Sequence, residues 1–237
     1  MNIIAIDSSS IAGSVSLIQD GLIIGEYYIC DKLTHAETIM PMLENLKQMV
    51  DINTINAIAV TSGPGSFTGL RIGIATAKAM ALAADVPIIG IPTLDVLAYN
   101  MITTDKLICP IMDARRNQVY TCIYKVENGE LIRLTDYLAI DINELLQQVL
   151  QYNQDAIFVG DGIRIYKDNI KTTLKNRAHF VPPFFEMQRA SVLAYMASLE
   201  YAKGNIQNAD DFTPMYIRKP QAERELEENA HKASHNI

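Results

Sequence analysis

The 237-residue chain has no tryptophan, only three cysteines and no apolar run long enough to cross a bilayer. The longest candidate, positions 72–91, is broken by Lys78, Asp85 and Pro87. The opening MNIIAIDSSS has neither a basic leader nor a cleavable apolar stretch, so a cytoplasmic protein with no membrane partner is expected. Cys30, Cys109 and Cys122 lack CxxC spacing and stand in or beside strand-like segments, which predicts reduced, buried thiols. A surplus of basic charge is also missing. At a formal net charge of −7 the chain is not expected to bind a polyanion unaided, because phosphate neutralisation supplies most nonspecific affinity. Low-complexity tracts are absent as well, and 49% hydrophobic residues predict ordered globular structure, in one large domain or two small ones.

What is present is a pattern that occurs twice. The opening NIIAIDSSSIAGSVSLIQDGLIIGEYYI holds three strand-like runs, with Asp7 ending the first and Asp20-Gly21 forming a hairpin signal between the second and third. About a hundred residues later LICPIMDARRNQVYTCIYKVENGELIRLTDY repeats the scheme, with Asp113 in the role of Asp7 and Asn128-Gly129 in that of Asp20-Gly21. A capped helix follows each meander. Thr34 and Glu37 have capping-box spacing before the stripe Ile39, Met40, Leu43 and Leu46, with Pro41 expected to kink that helix, and Asp141 and Glu144 repeat the device. Each half then gives a strand ending in glycines, Gly63-Pro-Gly65 or Gly160-Asp-Gly162, a helix and a last strand. Two copies of β-β-β-α-β-α-β are expected, with the boundary near Thr103 to Lys106. The helix at 191–203 has no counterpart before the boundary and is expected to bridge the lobes. The stretch from 221 to 237 reads as a polar, flexible tail.

Two places invite a phosphate reading. Asp7, Ser8, Ser9 and Ser10 can hold a phosphate through amides and hydroxyls, or simply cap their own turn. Gly63 and Gly65 lead into a helix start that can accept an anion, but no Gly-Lys-Ser/Thr follows and this is not a Walker loop. The competing reading is packing. Gly69, Gly73, Ala77 and Ala81 recur every four residues and leave a smooth ridge that favours close approach by another helix, in the same lobe or in another subunit. Met40, Met42 and Met49 offer adaptable apolar surface beside it. Arg71 is placed to pair with an acidic group across that contact, for example Glu37, and His35 suits a capping or interface role.

The motifs IAIDSSS, HAETIMP, VTSGPGSFTGLRIGIATAKAMALA, MDARRNQVY, VGDG and TPMYIRKPQAE, spread over nearly the whole chain, resemble the TsaB (YeaZ-like) family. That family is a glycoprotease-like branch of the actin, sugar-kinase and heat-shock-chaperone superfamily. The resemblance implies an α/β protein of two ribonuclease-H-like (actin-like ATPase) lobes, 1–103 and 104–220, each a mixed five-stranded sheet with flanking helices. It further implies a non-catalytic scaffold for threonylcarbamoyl transfer to adenosine 37 of tRNAs reading codons that begin with A. The implied partners are TsaD, TsaE and, in isolation, a second copy. tRNA would be contacted only indirectly, and ATP or ADP would bind at a partner interface if at all. By the same resemblance the first-lobe helices carrying His35, Glu37, Met40, Gly69, Arg71, Gly73, Ala77 and Ala81 form the partner surface. The metal-binding His-x-x-x-His of TsaD-type chains aligns here with Thr93, a poor transition-metal ligand, and Leu97, which cannot ligate at all. His35, His179, His231 and His235 supply no substitute beyond a tail pair at His231 and His235. A small-molecule kinase using Asp7 and Asp113 is the enzyme alternative.

Overall fold

The computed structural model describes residues 1–31 and 34–217. The predicted tail and the His231/His235 pair lie outside the described residues.

The first sheet is built as the meander predicts. Strands β1 (Asn2–Asp7), β2 (Gly13–Gln19) and β3 (Leu22–Ile29) run antiparallel. Asp20 and Gly21, at φ 47° and 83°, supply the two positive dihedrals that a tight hairpin matched to the strand twist demands. Helix α1 (His35–Lys47) starts at Thr34, whose amide donates to Glu37 Oε2 at 2.8 Å, and it continues through Pro41. Then come β4 (Ala57–Gly63), α2 (Phe67–Ala84), β5 (Ile88–Pro92) and α3 (Thr93–Tyr99). Parallel pairing of β1 with β4 and of β4 with β5 gives the order β3-β2-β1-β4-β5.

The second sheet contains β6 (Leu107–Asp113), β7 (Gln118–Thr121), β8 (Tyr124–Glu127), β9 (Glu130–Arg133) and β10 (Leu138–Asp141). After them run α4 (Ile142–Gln151), β11 (Ala156–Val159), α5 (Ile163–Leu174), β12 (Ala178–Phe180) and α6 (Ala190–Ala202). Its central order, β10-β7-β6-β11-β12, repeats the first, with β8 and β9 beside it. The extra strands come from a break in one long hairpin. Against β6 the register is continuous, Ile111 facing Thr121 and Ile108 facing Tyr124. On the outer side Tyr124 faces Arg133 while Thr121 faces Leu138, so residues 134–137 bulge opposite Cys122 and Ile123. The Thr135 hydroxyl fills the gap by accepting from the Ile123 amide at 3.0 Å.

Buried side chains line both faces of the first sheet. Ile4, Ile6, Val15, Leu17, Ile58 and Val60 meet α1 and α2, while Ile3, Ala5, Ile18 and Ile89 meet α6. This places α6 differently from the sequence expectation. Rather than bridging the lobes, Ala190, Leu193, Ala194 and Ala197 cover the first sheet, because an apolar sheet face needs a helix and the first half provides none for that side. The following chain stays there too, with Gln207 pairing Ile88 and Met215 N donating to Ser62 O at 2.7 Å. The bridge is α3. Its Leu94, Leu97 and Ala98 belong to the second-lobe core, its Val96 to the first, and its Asp95 accepts from Tyr124 and Tyr137 hydroxyls of the second sheet at 2.5 and 2.8 Å. Burial holds the Asp95 carboxyl above the usual carboxylate range, against those hydroxyl bonds. Cys109 and Cys122 are buried as expected, but Cys30 is exposed, since it follows the edge strand β3.

Candidate functional site

Asp7 ends β1 inside the protein. It is wholly buried, and Oδ1 accepts from the Ser9 hydroxyl at 2.6 Å, the Thr61 hydroxyl at 2.7 Å and the Ser9 amide at 3.3 Å. Oδ2 has no partner among the described residues. Burial pushes the carboxyl above its ordinary range, and the Ser9 and Thr61 bonds only partly oppose this. Ser8, Ser9 and Ser10 are buried with it. The glycine segment is folded around this turn. The Ser66 amide donates to Ser9 O at 2.7 Å, and the Ser8 hydroxyl donates to Gly69 O at 2.8 Å. A Cβ at Gly65 would stand 2.2 Å from Ser9 O, one at Gly69 2.1 Å from Ser8 O, and one at Gly73 2.2 Å from Ser8 Oγ. Gly63, at φ 118°, admits a different neighbour, since its Cβ would meet Met215 O at 2.4 Å. The space that resembles a phosphate cradle in the sequence holds the chain's own serine turn.

The ridge expected to receive a partner is therefore already covered. Gly69 and Gly73 press on Ser8, while Ala77 and Ala81 are 0% and 1% exposed within the core beneath α1 and the sheet. The periodicity was a packing signal, but its partner lies within the lobe. Outward-facing positions of α2 include Phe67, Arg71, Ala75, Ala79 and Leu82, and those of α1 include Glu37 and Met40, the latter 51% exposed. Met42 is buried and Met49 exposed. Glu37 turns back onto its own cap, where the Thr34 hydroxyl, and after it the Thr34 amide, hold the carboxyl below its usual range. Arg71 does not reach Glu37; its guanidinium lies over the Phe67 ring at 3.8 Å and donates through Nε to the Tyr216 hydroxyl at 3.3 Å. His35 Nε2 sits 2.7 Å from Ser10 O, so that nitrogen carries the proton and the ring braces the serine turn.

The second lobe repeats the device in part. Gly160, at φ 111°, and Gly162 close on Ile111 O, with the Gly162 amide donating to it at 3.0 Å, and Asp161 Oδ1 accepts from the Asp113 amide at 3.0 Å. Its turn, however, projects outward: Arg115, Arg116 and Asn117 are exposed at φ 64°, 54° and 59°. Gln188 links the first turn to strand β6. It is 1% exposed, Oε1 accepts from the Ser10 hydroxyl at 2.9 Å, and Nε2 donates to Ser9 Oγ at 3.2 Å and reaches Met112 S at 3.7 Å. Sequence reasoning missed Gln188, Thr61 and Tyr216; only the position of Gln188 just before α6 carried any signal. Thr93 and Leu97, aligned with a metal-binding pair elsewhere, are both buried, and the described residues hold no cluster of three metal-ligating side chains.

This geometry can be set beside known proteins. Residues 31–226 match the family model of TsaD, tRNA N6-adenosine threonylcarbamoyltransferase. The tRNA threonylcarbamoyladenosine biosynthesis protein TsaB of Bacillus subtilis is 31% identical over 225 residues, covering 94% of this chain and 96% of that protein. TsaB of Escherichia coli is 28% identical over 234 residues, covering 95% and 98%. The structure of YeaZ from Pseudomonas aeruginosa superposes with a TM-score of 0.76 at 24% identity, covering 91% of this chain and all of that one, which supports the two-lobed α/β fold. With similarity of this extent, the chain belongs to the TsaB family, within the wider group described by the TsaD family model.

Proposed function

We propose that this chain is the non-catalytic scaffold subunit for threonylcarbamoyl transfer to adenosine 37 of tRNAs that read codons beginning with A. It pairs with a TsaD-type transferase, which performs the chemistry, and helps form the surface where TsaE and tRNA engage. The observation that carries this reading is the occupation of the cradle by the chain itself. Gly65, Gly69 and Gly73 bring α2 onto Ser8 and Ser9, and Gln188 ties Ser9 and Ser10 to Met112 of β6. A nucleotide gripped at this turn by the chain alone would have to displace backbone already hydrogen-bonded in place, and we place any ATP or ADP at a partner interface. The buried Thr93 and Leu97, where a catalytic relative keeps two imidazoles, support the same division of labour.

The partner surface is the outward side of α1 and α2, around Met40, Arg71, Ala75 and Leu82, and the same face serves a homodimer when the protein is alone. No helix among the described residues is long and apolar enough to cross a membrane. Depletion of the protein followed by nucleoside mass spectrometry of bulk tRNA tests the proposal. Threonylcarbamoyladenosine is expected to fall with the protein and to return on complementation; an unchanged level overturns the reading.

A further inference from the structure

We propose that Phe67, Arg71 and Tyr216 form a preorganised anchor for a carboxylate on the protein partner of this chain. The inference rests on the proposed function and specifies the chemistry of one point on the partner surface.

Arg71 is exposed on α2 and held by two aromatic side chains rather than by a carboxylate. Arg164 and Arg189 are paired with Glu186 and Glu26, and Arg115 stands 3.7 Å from Asp113. Arg71 makes no ion pair among the described residues; its recorded contacts are the Phe67 ring and the Tyr216 hydroxyl. The bond to Tyr216 uses Nε alone. The four N–H groups on the two terminal nitrogens remain, and they form the edge of a guanidinium that binds a carboxylate through two parallel hydrogen bonds.

The group is also held still. Stacking on Phe67 at 3.8 Å fixes its plane, Phe67 and Tyr216 lie 5.6 Å apart as a tilted ring pair, and Tyr216 is placed by the Met215 amide bonded to Ser62 O. An arginine free in solvent loses side-chain entropy on binding; this one has already lost much of it, so more of the contact energy appears as affinity. Phe67 and Tyr216 are 37% and 40% exposed, so burial of their rings would accompany the ion pair. Exposed Arg and Tyr together are the composition of an interface hot spot. Complementary charge favours an acidic protein surface. RNA is the rival occupant, and it is disfavoured by the chain's net charge of −7, which repels a polyanion over the longer range.

The test measures binding of the full chain to the purified TsaD-type protein of the same organism by isothermal titration calorimetry at low and high salt. Arg71→Ala should weaken binding by about tenfold to a hundredfold and flatten its salt dependence. Arg71→Lys should restore only part of the loss, because the charge returns without the two-pronged edge. Phe67→Ala should weaken binding less than Arg71→Ala, with thermal unfolding of all three variants close to wild type. Wild-type affinity in Arg71→Ala overturns the anchor and leaves the proposed function standing. Failure of the wild-type chain to bind at all overturns the proposed function and the anchor with it. Unchanged protein binding with weakened retention of tRNA by the complex overturns the anchor in favour of RNA.

Discussion

In the first lobe the turn after β1 is three serines pressed beneath α2; in the second the turn after β6 is Ala114, Arg115, Arg116 and Asn117, standing toward solvent. The strand order around both is the same. The difference lies in where the glycines fall. Gly65, Gly69 and Gly73 continue past the strand into the helix and let it settle on the turn itself, whereas Gly160 and Gly162 stop at the strand end and meet Ile111 of β6. One topology thus supports a closed turn or a projecting one, depending on whether the helix after the fourth strand has a face without side chains.

Glycine substitutions should break this comparison most strongly. A Cβ at Gly65 collides with backbone at 2.2 Å, and one at Gly162 meets backbone at 2.9 Å. Gly65→Ala is therefore expected to cost about 3 kcal/mol or more and Gly162→Ala about 1 to 2 kcal/mol, read from urea unfolding midpoints. Equal losses would mean that the two turns are packed alike.

A pH series sharpens the contrast. Burial raises the carboxyls of both Asp7 and Asp161 in the folded protein. A group whose folded pKa lies above its unfolded value contributes stability that is complete below the unfolded pKa and is lost as pH rises through the folded one. Asp7→Asn removes the titration but keeps an oxygen for Ser9 and Thr61. Unfolding free energy in this variant should fall less than wild type between acidic and neutral pH, by about 1.4 kcal/mol for each unit by which the pKa was raised. Asp161→Asn should show the same sign. An Asp7→Asn curve parallel to wild type would mean that its carboxyl titrates alike in the folded and unfolded chain. The smallest effect belongs to the projecting turn. In Arg116→Gly, relief of about 1 kcal/mol of left-handed strain is offset by greater freedom of the unfolded chain, leaving stability within about 0.5 kcal/mol by thermal melting.

Much of the fold was legible because its signals are local. Alternation, the Asp20-Gly21 and Asn128-Gly129 turns, and the caps at Thr34 and Asp141 placed the meanders and helices to within a few residues. What failed depends on distant chain. The period-four ridge of α2 was visible, but nothing in a single helix says which neighbour covers it; the coverer, Ser8, lies about sixty residues earlier. Helix α3 went unread because its seven residues TLDVLAY are apolar toward both lobes and show no one-sided stripe. The site suffered likewise: Gln188 and Tyr216 act on the first lobe from positions more than a hundred residues away.

The crossing of α3 and α6 has a consequence for synthesis. The first sheet is translated early, yet the helix that covers its second face begins at Ala190. While the ribosome makes the intervening hundred or so residues, at about 5–20 residues per second, Ile3, Ala5, Ile18 and Ile89 have no cover. The first lobe is therefore complete only when the carboxy-terminal half has emerged to close it.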